Sequence, residues 1–201
     1  MPTIKDYRNI FFVASLLGSL ALASPVISLI LPPRAKERFS EIYMLGSGRM
    51  AEKYPFNVKS NETYRLILGV GNHMGSSSYY AIHVKIRDHG ERPPNVSEND
   101  PSPSPTVCEY RVFVANDEII EKSINFSLNF YLLSNDKCCI IKSLTINDVV
   151  FDVNKTVEWD SEKEGFFINL FFELWIYDLK IEDFFFHDRF AGIWLNMTDA
   201  M

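Results

Sequence analysis

Residues 166–177, with the sequence FFINLFFELWIY, are the stretch that decides the fold. Every second residue from Phe166 to Ile176 is apolar, so one face of an extended chain would be wholly hydrophobic. The other face is interrupted by Asn169 and Glu173. Burial of each large apolar side chain contributes roughly 1.5–3 kcal/mol, and we therefore predict a strand at the centre of a sheet.

The same period-two alternation recurs along the chain on the N-terminal and C-terminal sides of this stretch. Two pairs of the predicted strands are separated by short turns, at 71–75 and 147–148, which predicts two β-hairpins. No segment beyond residue 39 shows a helical period. About eight to ten short strands over roughly 160 residues predict an all-β, antiparallel β-sandwich. The other predicted strands are 40–46, 64–70, 80–86, 110–114, 124–132, 144–146, 149–151 and 190–197.

Residues 90–106 contain five prolines and separate the early strands from the later ones. Such a segment cannot form a regular ladder of strand hydrogen bonds. It would suit a linker between two domains, but residues 40–88 offer only about four strands, too few for a separate core. We therefore predict one domain, residues 40–201, with a long Pro-rich surface loop at 90–106.

Residues 11–31 are uncharged and mostly apolar. An α-helix of about 21 residues spans roughly 31 Å, which is about the thickness of the hydrocarbon core of a bilayer. This predicts one N-terminal transmembrane helix, preceded by a short cytoplasmic tail, residues 1–10, and followed by a juxtamembrane spacer, residues 32–39. A cleaved signal peptide is the alternative, because Ala21-Leu22-Ala23 fits a small-x-small cleavage site. The apolar run continues beyond that site and favours a retained anchor.

Five Asn-x-Ser/Thr triplets, the acceptor pattern of N-glycosylation, follow the predicted anchor. The basic residues beside the anchor, two before it and three after it, slightly favour a large domain inside the cell. The triplets favour the outside. We predict a single-pass protein of the cell membrane with a glycosylated, extracytoplasmic domain and a cytoplasmic N-terminus. The acceptor asparagines are Asn61, Asn95, Asn125, Asn154 and Asn196.

Charge and cysteine content limit the partners and the cross-links. Beyond residue 31 the chain has 18 basic and 25 acidic residues, a net charge of −7, which lacks the basic footprint of nucleic-acid binding. Cys138 and Cys139 are neighbours, so in a strand they point to opposite faces, and only one of them could bridge to Cys108. A disulfide between Cys108 and Cys138 and three buried thiols both fit the sequence.

The sequence carries no catalytic or cofactor-binding signature. Gly-x-Ser-x-Gly, a Walker loop, His-Glu-x-x-His and Cys-x-x-Cys are all missing. The four histidines lack the spacing of zinc ligands, and His73 is more simply a turn residue that bonds to its own backbone. The acidic run 158–164 lacks the spacing of an EF-hand and is typical of a solvated loop. We predict no catalytic, cofactor-binding or metal-binding residue and no cofactor.

Four segments together resemble one protein family. They are 39–46 (FSEIYMLG), 54–58 (YPFNV), 69–73 (GVGNH), and a C-terminal segment of 172–177 (FELWIY) with 190–197. They resemble DUF1616, a family of predicted archaeal membrane proteins, over roughly residues 38–198. The resemblance implies an Ig-like extracytoplasmic domain attached to a membrane. Many members carry several membrane helices where one is predicted here, and the family supplies no activity.

The most specific part of the resemblance is the string that contains Gly69, Gly71, Asn72 and His73. We expect these residues to form a signature turn between two strands. The glycines would then provide a β-bulge or a positive φ at the strand end.

Three functions fit these observations to different degrees. The first is a non-enzymatic structural or interaction role in the cell envelope, with envelope or membrane proteins as partners. The second is a glycan- or solute-binding receptor domain, in which Trp159, Trp175, Trp194 and the loop 90–106 line the site. The third is an envelope hydrolase, which would need a pocket with two carboxylates at catalytic separation and a raised pKa.

Overall fold

A computed structural model describes residues 4–30, 37–133 and 138–198, and within the first range only the side chains of residues 7–22. The chain forms two compact units, Met1–Glu37 and Arg38–Met201. The first contains helix α1, Ile4–Ile30, and the second contains ten strands in its described part. The strands are β1 Phe39–Leu45, β2 Asn57–Lys59, β3 Tyr64–His73, β4 Ser78–Arg87, β5 Thr106–Val114, β6 Glu118–Leu133, β7 Cys138–Ile146, β8 Val149–Glu158, β9 Phe166–Asp178 and β10 Asp183–Thr198.

Helix α1 includes residues 11–30 of the predicted anchor and also residues 4–10 of the predicted tail. Its apolar residues are spread around the whole helix and do not form one stripe, and the described side chains, residues 7–22, are all exposed. Among the residues whose placement is described, no helix is both long and apolar enough to cross a membrane. The predicted span continues to residue 31, past the described side chains.

The second unit is a sandwich of two five-stranded sheets, as the alternating sequence predicts. The first sheet has the strand order β1-β3-β6-β7-β8, and the second has β2-β10-β9-β4-β5. Every pair is antiparallel except β10 with the short strand β2, which is parallel. The prediction of a purely antiparallel sandwich is wrong at that pair, because a three-residue strand has too little pattern to reveal its direction.

Strand β9, which contains the stretch 166–177, lies at the centre of the second sheet between β10 and β4. Its alternate apolar side chains point into the sandwich, where they pack against apolar residues of the first sheet. The central position predicted from its hydrophobicity is confirmed. The inward-facing residues of β9 are Phe166, Ile168, Leu170, Phe172, Leu174 and Ile176.

The two predicted hairpins have opposite outcomes. Strands β7 and β8 pair with Ile146 opposite Val149, and Asn147 and Asp148 form the turn with φ of 46° and 68°. This is the two-residue hairpin turn that needs positive φ at both positions. Strands β3 and β4 do not pair: β3 lies between β1 and β6, and β4 lies between β5 and β9 in the other sheet. Alternation shows that a strand has two faces but does not specify its neighbour.

The glycines of the predicted signature turn lie inside β3, so their explanation also changes. Neither has a positive φ. Gly69 is opposite Tyr43 and Gly71 is opposite Glu41 on β1. A Cβ atom would lie 2.2 Å from the Tyr43 ring at Gly69, and 2.4 Å from the Glu41 carboxylate at Gly71. The glycines are therefore required because the side chains of β1 lie across the backbone of β3.

Candidate functional site

The segment between β4 and β5, residues 88–105, covers the outer face of the second sheet. Ser102 and Ser104 of this segment are buried, and so are Asn169 and Glu173 on the outer face of β9. Both faces of β9 are therefore shielded from water. The sequence predicts a surface loop here, and in the structure this loop lies over the outer face of the second sheet. We call it the covering loop.

A buried ion pair lies beneath the covering loop. The Lys85 Nζ is 2.9 Å from the Glu173 Oε2, and the two side chains are 5% and 0% exposed. Lys85 also donates to the Ser102 carbonyl at 2.7 Å, and the Ser102 N–H donates to Glu173 Oε1 at 2.7 Å. Trp175 Nε1 donates to Glu173 Oε2 at 3.3 Å. Both charged groups therefore bind to partners within the protein, and the pair holds the covering loop against the second sheet.

Further polar side chains lie on the outer face of the second sheet, beside the ion pair of Lys85 and Glu173. His83 stacks on Trp175, with 4.6 Å between the ring centroids, and its Nε2 is 3.1 Å from Glu109 Oε2. Burial lowers the pKa of His83, and the hydrogen bond from Arg111 lowers the pKa of Glu109. A hydrolase would need an acid whose pKa is raised. Glu109 is shifted in the opposite direction.

Asn72 is fully buried and connects several segments at one end of the sandwich. Its Nδ2 donates to the carbonyls of Ser76 and Val114, at 2.8 and 2.9 Å. Its Oδ1 accepts from the Met74 N–H at 3.0 Å and from the Tyr80 hydroxyl at 3.1 Å. Asn72 is predicted to lie in a turn, but it is the last-but-one residue of β3. There its side chain binds the residues that follow β3 and the end of β5.

The network extends from Tyr80 to His187 through Ser40. The Ser40 hydroxyl is 2.6 Å from the Tyr80 hydroxyl, and His187 Nε2 is 3.0 Å from Ser40 Oγ. Because Tyr80 donates to Asn72, Ser40 donates to Tyr80 and must accept from His187. This order of donors places the proton of the neutral imidazole on Nε2. His187 reaches Ser40 because β10 is irregular between Phe186 and Arg189.

The protonation of His187 should make the fold less stable in acid. Burial and the nearby Arg189 lower the pKa of His187, while Asp188 partly opposes them. The unfolded chain has the ordinary pKa of about 6.5, so between that value and the lower folded pKa the unfolded state binds more protons. We expect stability to be full above about pH 6.5 and to fall as the pH drops below it. Urea unfolding at several pH values would measure this.

A substitution at His187 isolates this contribution from those of His83 and His89, whose pKa values burial also lowers. His187→Gln should give a shallower loss of stability between neutral and acidic pH than the wild type. Asn129→Gln, at an exposed position on β6, is the control and should leave the pH dependence unchanged. Identical pH dependence in His187→Gln and the wild type would contradict the assignment.

His73 and the cysteines differ from their predicted roles. His73 Nδ1 lies 3.0 Å from Asp117 Oδ1, so it bonds to another segment and not to its own backbone. Cys108, Cys138 and Cys139 are all free thiols, so the considered Cys108–Cys138 disulfide is not formed. Burial raises the pKa of Cys108 to about 11 and that of Cys139 to about 12. These two thiols are therefore poor nucleophiles at neutral pH.

The five glycosylation candidates differ in accessibility. Asn61, Asn125 and Asn154 are exposed. Asn95 is half-buried and caps the short 3-10 helix Val96–Glu98, accepting from the Ser97 N–H. Asn196 is half-buried and donates to Asn57 Oδ1 at 2.9 Å. The exposed three are the better acceptors, and their modification stays a prediction.

A cleft of about 400 Å³ opens between the end of β8, the turn before β9 and the residues that follow β4. Trp159 and Phe167 line it together with His89, which stacks on Trp194 at 4.1 Å. Trp175 does not take part, because it packs on His83 beneath the covering loop. The three tryptophans that were predicted to line one site are therefore not all at the cleft, and Trp159 provides the accessible aromatic surface of the cleft. Its carboxylates are Asp88, Glu158 and Asp160.

The acidic run 158–164 forms the turn beside this cleft. Asp160 Oδ1 accepts from the backbone N–H groups of Glu162 and Lys163, which lowers the pKa of Asp160. Within the described ranges, no group of three or more His, Cys, Asp or Glu side chains is placed to hold a metal ion. Asp160 of this run instead orders the turn.

The two packed sheets, the apolar core between them and the covering loop define a β-sandwich domain. Residues 33–132 match the family described as Domain of unknown function (DUF1616). The predicted resemblance is confirmed over these residues, and the match does not extend to the predicted segments 172–177 and 190–197. The comparison with curated proteins found no match.

Several solved structures show a distant likeness to the chain. The CARDB domain of the PF1109 protein from Pyrococcus furiosus, solved with di-metal ions, is 11% identical, covers 84% of this chain and 95% of its own, and has a TM-score of 0.33. A Listeria innocua β-glucosidase is 8% identical over 81% of this chain and 16% of its own, with a TM-score of 0.39. The ASH/PapD-like domain 7 of human CEP192 is 10% identical over 85% and 92%, with a TM-score of 0.31.

Proposed function

We propose that this protein is a non-enzymatic, single-pass membrane protein whose β-sandwich has a structural or interaction role in the cell envelope. Its sandwich would lie outside the membrane, and its partners would be other envelope or membrane proteins. The observation that carries the membrane part of this proposal is the exposed apolar surface of α1.

Helix α1 has no covered face among its described side chains, residues 7–22. Leu16, Leu17 and Leu20 are 64%, 62% and 66% exposed. A helix that is hydrophobic all round is stable only where an apolar environment surrounds it, in a protein core or in a bilayer. The uncharged run of residues 11–31 in the sequence has about the length of a bilayer core, which supports the second environment.

The polar groups buried in the sandwich support a non-enzymatic role. Glu173 and Lys85 bind one another and the covering loop, and Asn72 binds the backbone of neighbouring segments. A catalytic group must keep a free position toward the substrate. These groups have the arrangement of structural groups, which hold loops and sheets together.

Membrane attachment can be tested by fractionation of cells that produce the full chain. The wild type should stay in the membrane pellet after alkaline carbonate extraction. A charge at the centre of a membrane helix costs about 2.5–3.5 kcal/mol, so the triple variant Leu16→Lys, Leu17→Lys, Leu20→Lys should move to the supernatant. Protease added to intact cells should digest the sandwich of the wild type.

A matched control adds the same charge elsewhere. Phe113→Lys, Val149→Lys and Val150→Lys lie at exposed positions of β5 and β8, and together they should leave the protein in the pellet. Extraction of the wild type by carbonate would refute the anchor, and protection of the sandwich from protease would refute its outside location. Cross-linking in native membranes followed by mass spectrometry would identify the partners.

A second candidate function is a receptor domain for a glycan or another solute. The 400 Å³ cleft beside Trp159 supports it, because its size lies within the roughly 300–1,000 Å³ of small-molecule sites. The test is titration of the full chain with candidate ligands. An absence of any saturable response would exclude this function and would leave the anchored structural role intact.

A further inference from the structure

The cleft beside Trp159, of about 400 Å³, has a different lining from two other cavities of the described sandwich. A crevice of about 200 Å³ between the sheets is lined mainly by core residues such as Leu68 and Ile82. Another cavity, of about 350 Å³, lies where Lys155 bonds to Glu91 and closes the covering loop against β8. Neither of these two cavities combines an aromatic ring with carboxylates, as the cleft does.

The aromatic surface of the cleft is fixed in place. Trp159 is 39% exposed, and its ring packs edge to face against Phe166 with 5.0 Å between centroids. Phe167 forms a buried part of the wall, and His89 is held by stacking on Trp194. A rigid aromatic ring binds at low cost in conformational entropy, because it does not have to be ordered when a ligand arrives.

The carboxylates of the cleft are also fixed. Asp88 Oδ1 accepts from the Gly90 N–H at 2.8 Å, and its Oδ2 lies 3.3 Å from Lys155 Nζ. Asp160 is held by the two N–H groups of its turn, and its Oδ2 lies 3.5 Å from His89 Nε2. An ionised carboxylate has about four acceptor positions, so each keeps capacity for donors from a ligand.

The charge distribution selects the class of ligand. Three carboxylates and no lysine or arginine line the described wall, which disfavours an anion. A cation is also disfavoured, because Lys155 already lies beside Asp88, and the Lys163 ammonium lies 5.9 and 5.6 Å from the Phe167 and Trp194 rings. A neutral ligand with many hydroxyl donors and an apolar face matches both the carboxylates and the indole.

We propose that this cleft binds a neutral saccharide, with its hydroxyl groups donating to Asp88, Glu158 and Asp160 and its apolar face packed on Trp159. This inference rests on the second candidate function, the receptor role, and gives it a site and a ligand class. It does not depend on membrane attachment, which the fractionation experiment tests separately.

The test is calorimetric titration of the detergent-solubilised full chain with neutral mono- and disaccharides of glucose, galactose, mannose and N-acetylglucosamine. At least one should bind saturably, and Trp159→Ala should weaken it about tenfold or more. Trp175→Phe is the matched control, because Trp175 lies outside the cleft, and it should bind like the wild type. Circular dichroism of each variant would establish that the sandwich is still folded.

Further titrations distinguish a neutral saccharide from other classes of ligand. If the natural ligand is the end of a polymer or glycoprotein glycan, the same sugars coupled to a carrier protein should bind as well as the free sugars. If the natural ligand is a small solute, only the free sugars should bind. A Trp159→Ala variant that binds like the wild type would overturn the proposal, as would no saturable binding across the panel. A response to tetramethylammonium without any response to sugars would overturn the choice of a neutral ligand.

Discussion

Replacing Glu173 by glutamine should lower the free energy of unfolding by about 3–5 kcal/mol, because it leaves the Lys85 ammonium buried without its counter-charge. Lys85→Met should cost a similar amount, since Glu173 is then the unpaired charge. The two side chains are 5% and 0% exposed, so water cannot replace the lost partner without opening of the covering loop. Equilibrium unfolding in urea would measure both variants.

The double variant Lys85→Met, Glu173→Leu distinguishes the pair from its individual groups. Removing both charges should recover part of the stability that either single variant loses, because no buried charge is left. The recovery is incomplete because the Ser102 N–H and carbonyl lose their partners. The control is the exposed pair of Arg92 and Asp100, whose side chains are 54% and 40% exposed. Arg92→Ala should cost no more than about 1 kcal/mol.

The ion pair also determines how firmly the covering loop is closed. Glu173→Gln should increase the rate at which a glutamyl endopeptidase cuts within residues 90–106 under native conditions, for instance after Glu98. A Glu173→Gln variant with wild-type stability and wild-type cleavage would show that the pair does not hold the loop.

Asn72→Ala should also be strongly destabilising, with a loss of about 3–5 kcal/mol. The substitution removes the Asn72 donor from the Ser76 and Val114 carbonyls and the Asn72 acceptor from the Tyr80 hydroxyl, and each unsatisfied buried group costs about 1–3 kcal/mol. The network through Ser40 to His187 would lose its order as well. Urea unfolding is again the measurement.

Two further variants test the explanation of this effect. Asn72→Asp keeps an acceptor for Met74 and Tyr80 but lacks the Nδ2 donor, so it should also be strongly destabilising. Asn129→Ala, at an exposed site, should stay within about 0.5 kcal/mol of the wild type. A loss of less than about 1 kcal/mol in Asn72→Ala would mean that water replaces its hydrogen bonds.

The candidate site was only partly predictable. Glu173 is conspicuous in the sequence because it interrupts an apolar stretch, and Trp159 because it lies in an acidic run. Their surroundings were not predictable, since Lys85 and Ser102 approach Glu173 from segments about 90 and 70 positions away in the chain. The three tryptophans are equivalent in sequence, yet contacts across the sheet stack the half-buried Trp175 on His83 and leave Trp159 accessible.

The sequence by itself determined where nine of the ten described strands lie, all except the three-residue β2, because the alternation of apolar and polar side chains follows directly from the geometry of an extended chain. It also determined the central place of β9 and the turn at Asn147 and Asp148, since extreme burial and positive φ are local requirements. Only the tertiary structure decided which strands pair. It placed β3 and β4 in different sheets, put the glycines opposite Tyr43 and Glu41, and brought the covering loop over Lys85 and Glu173. Such choices depend on contacts between distant segments, which local periodicity does not record.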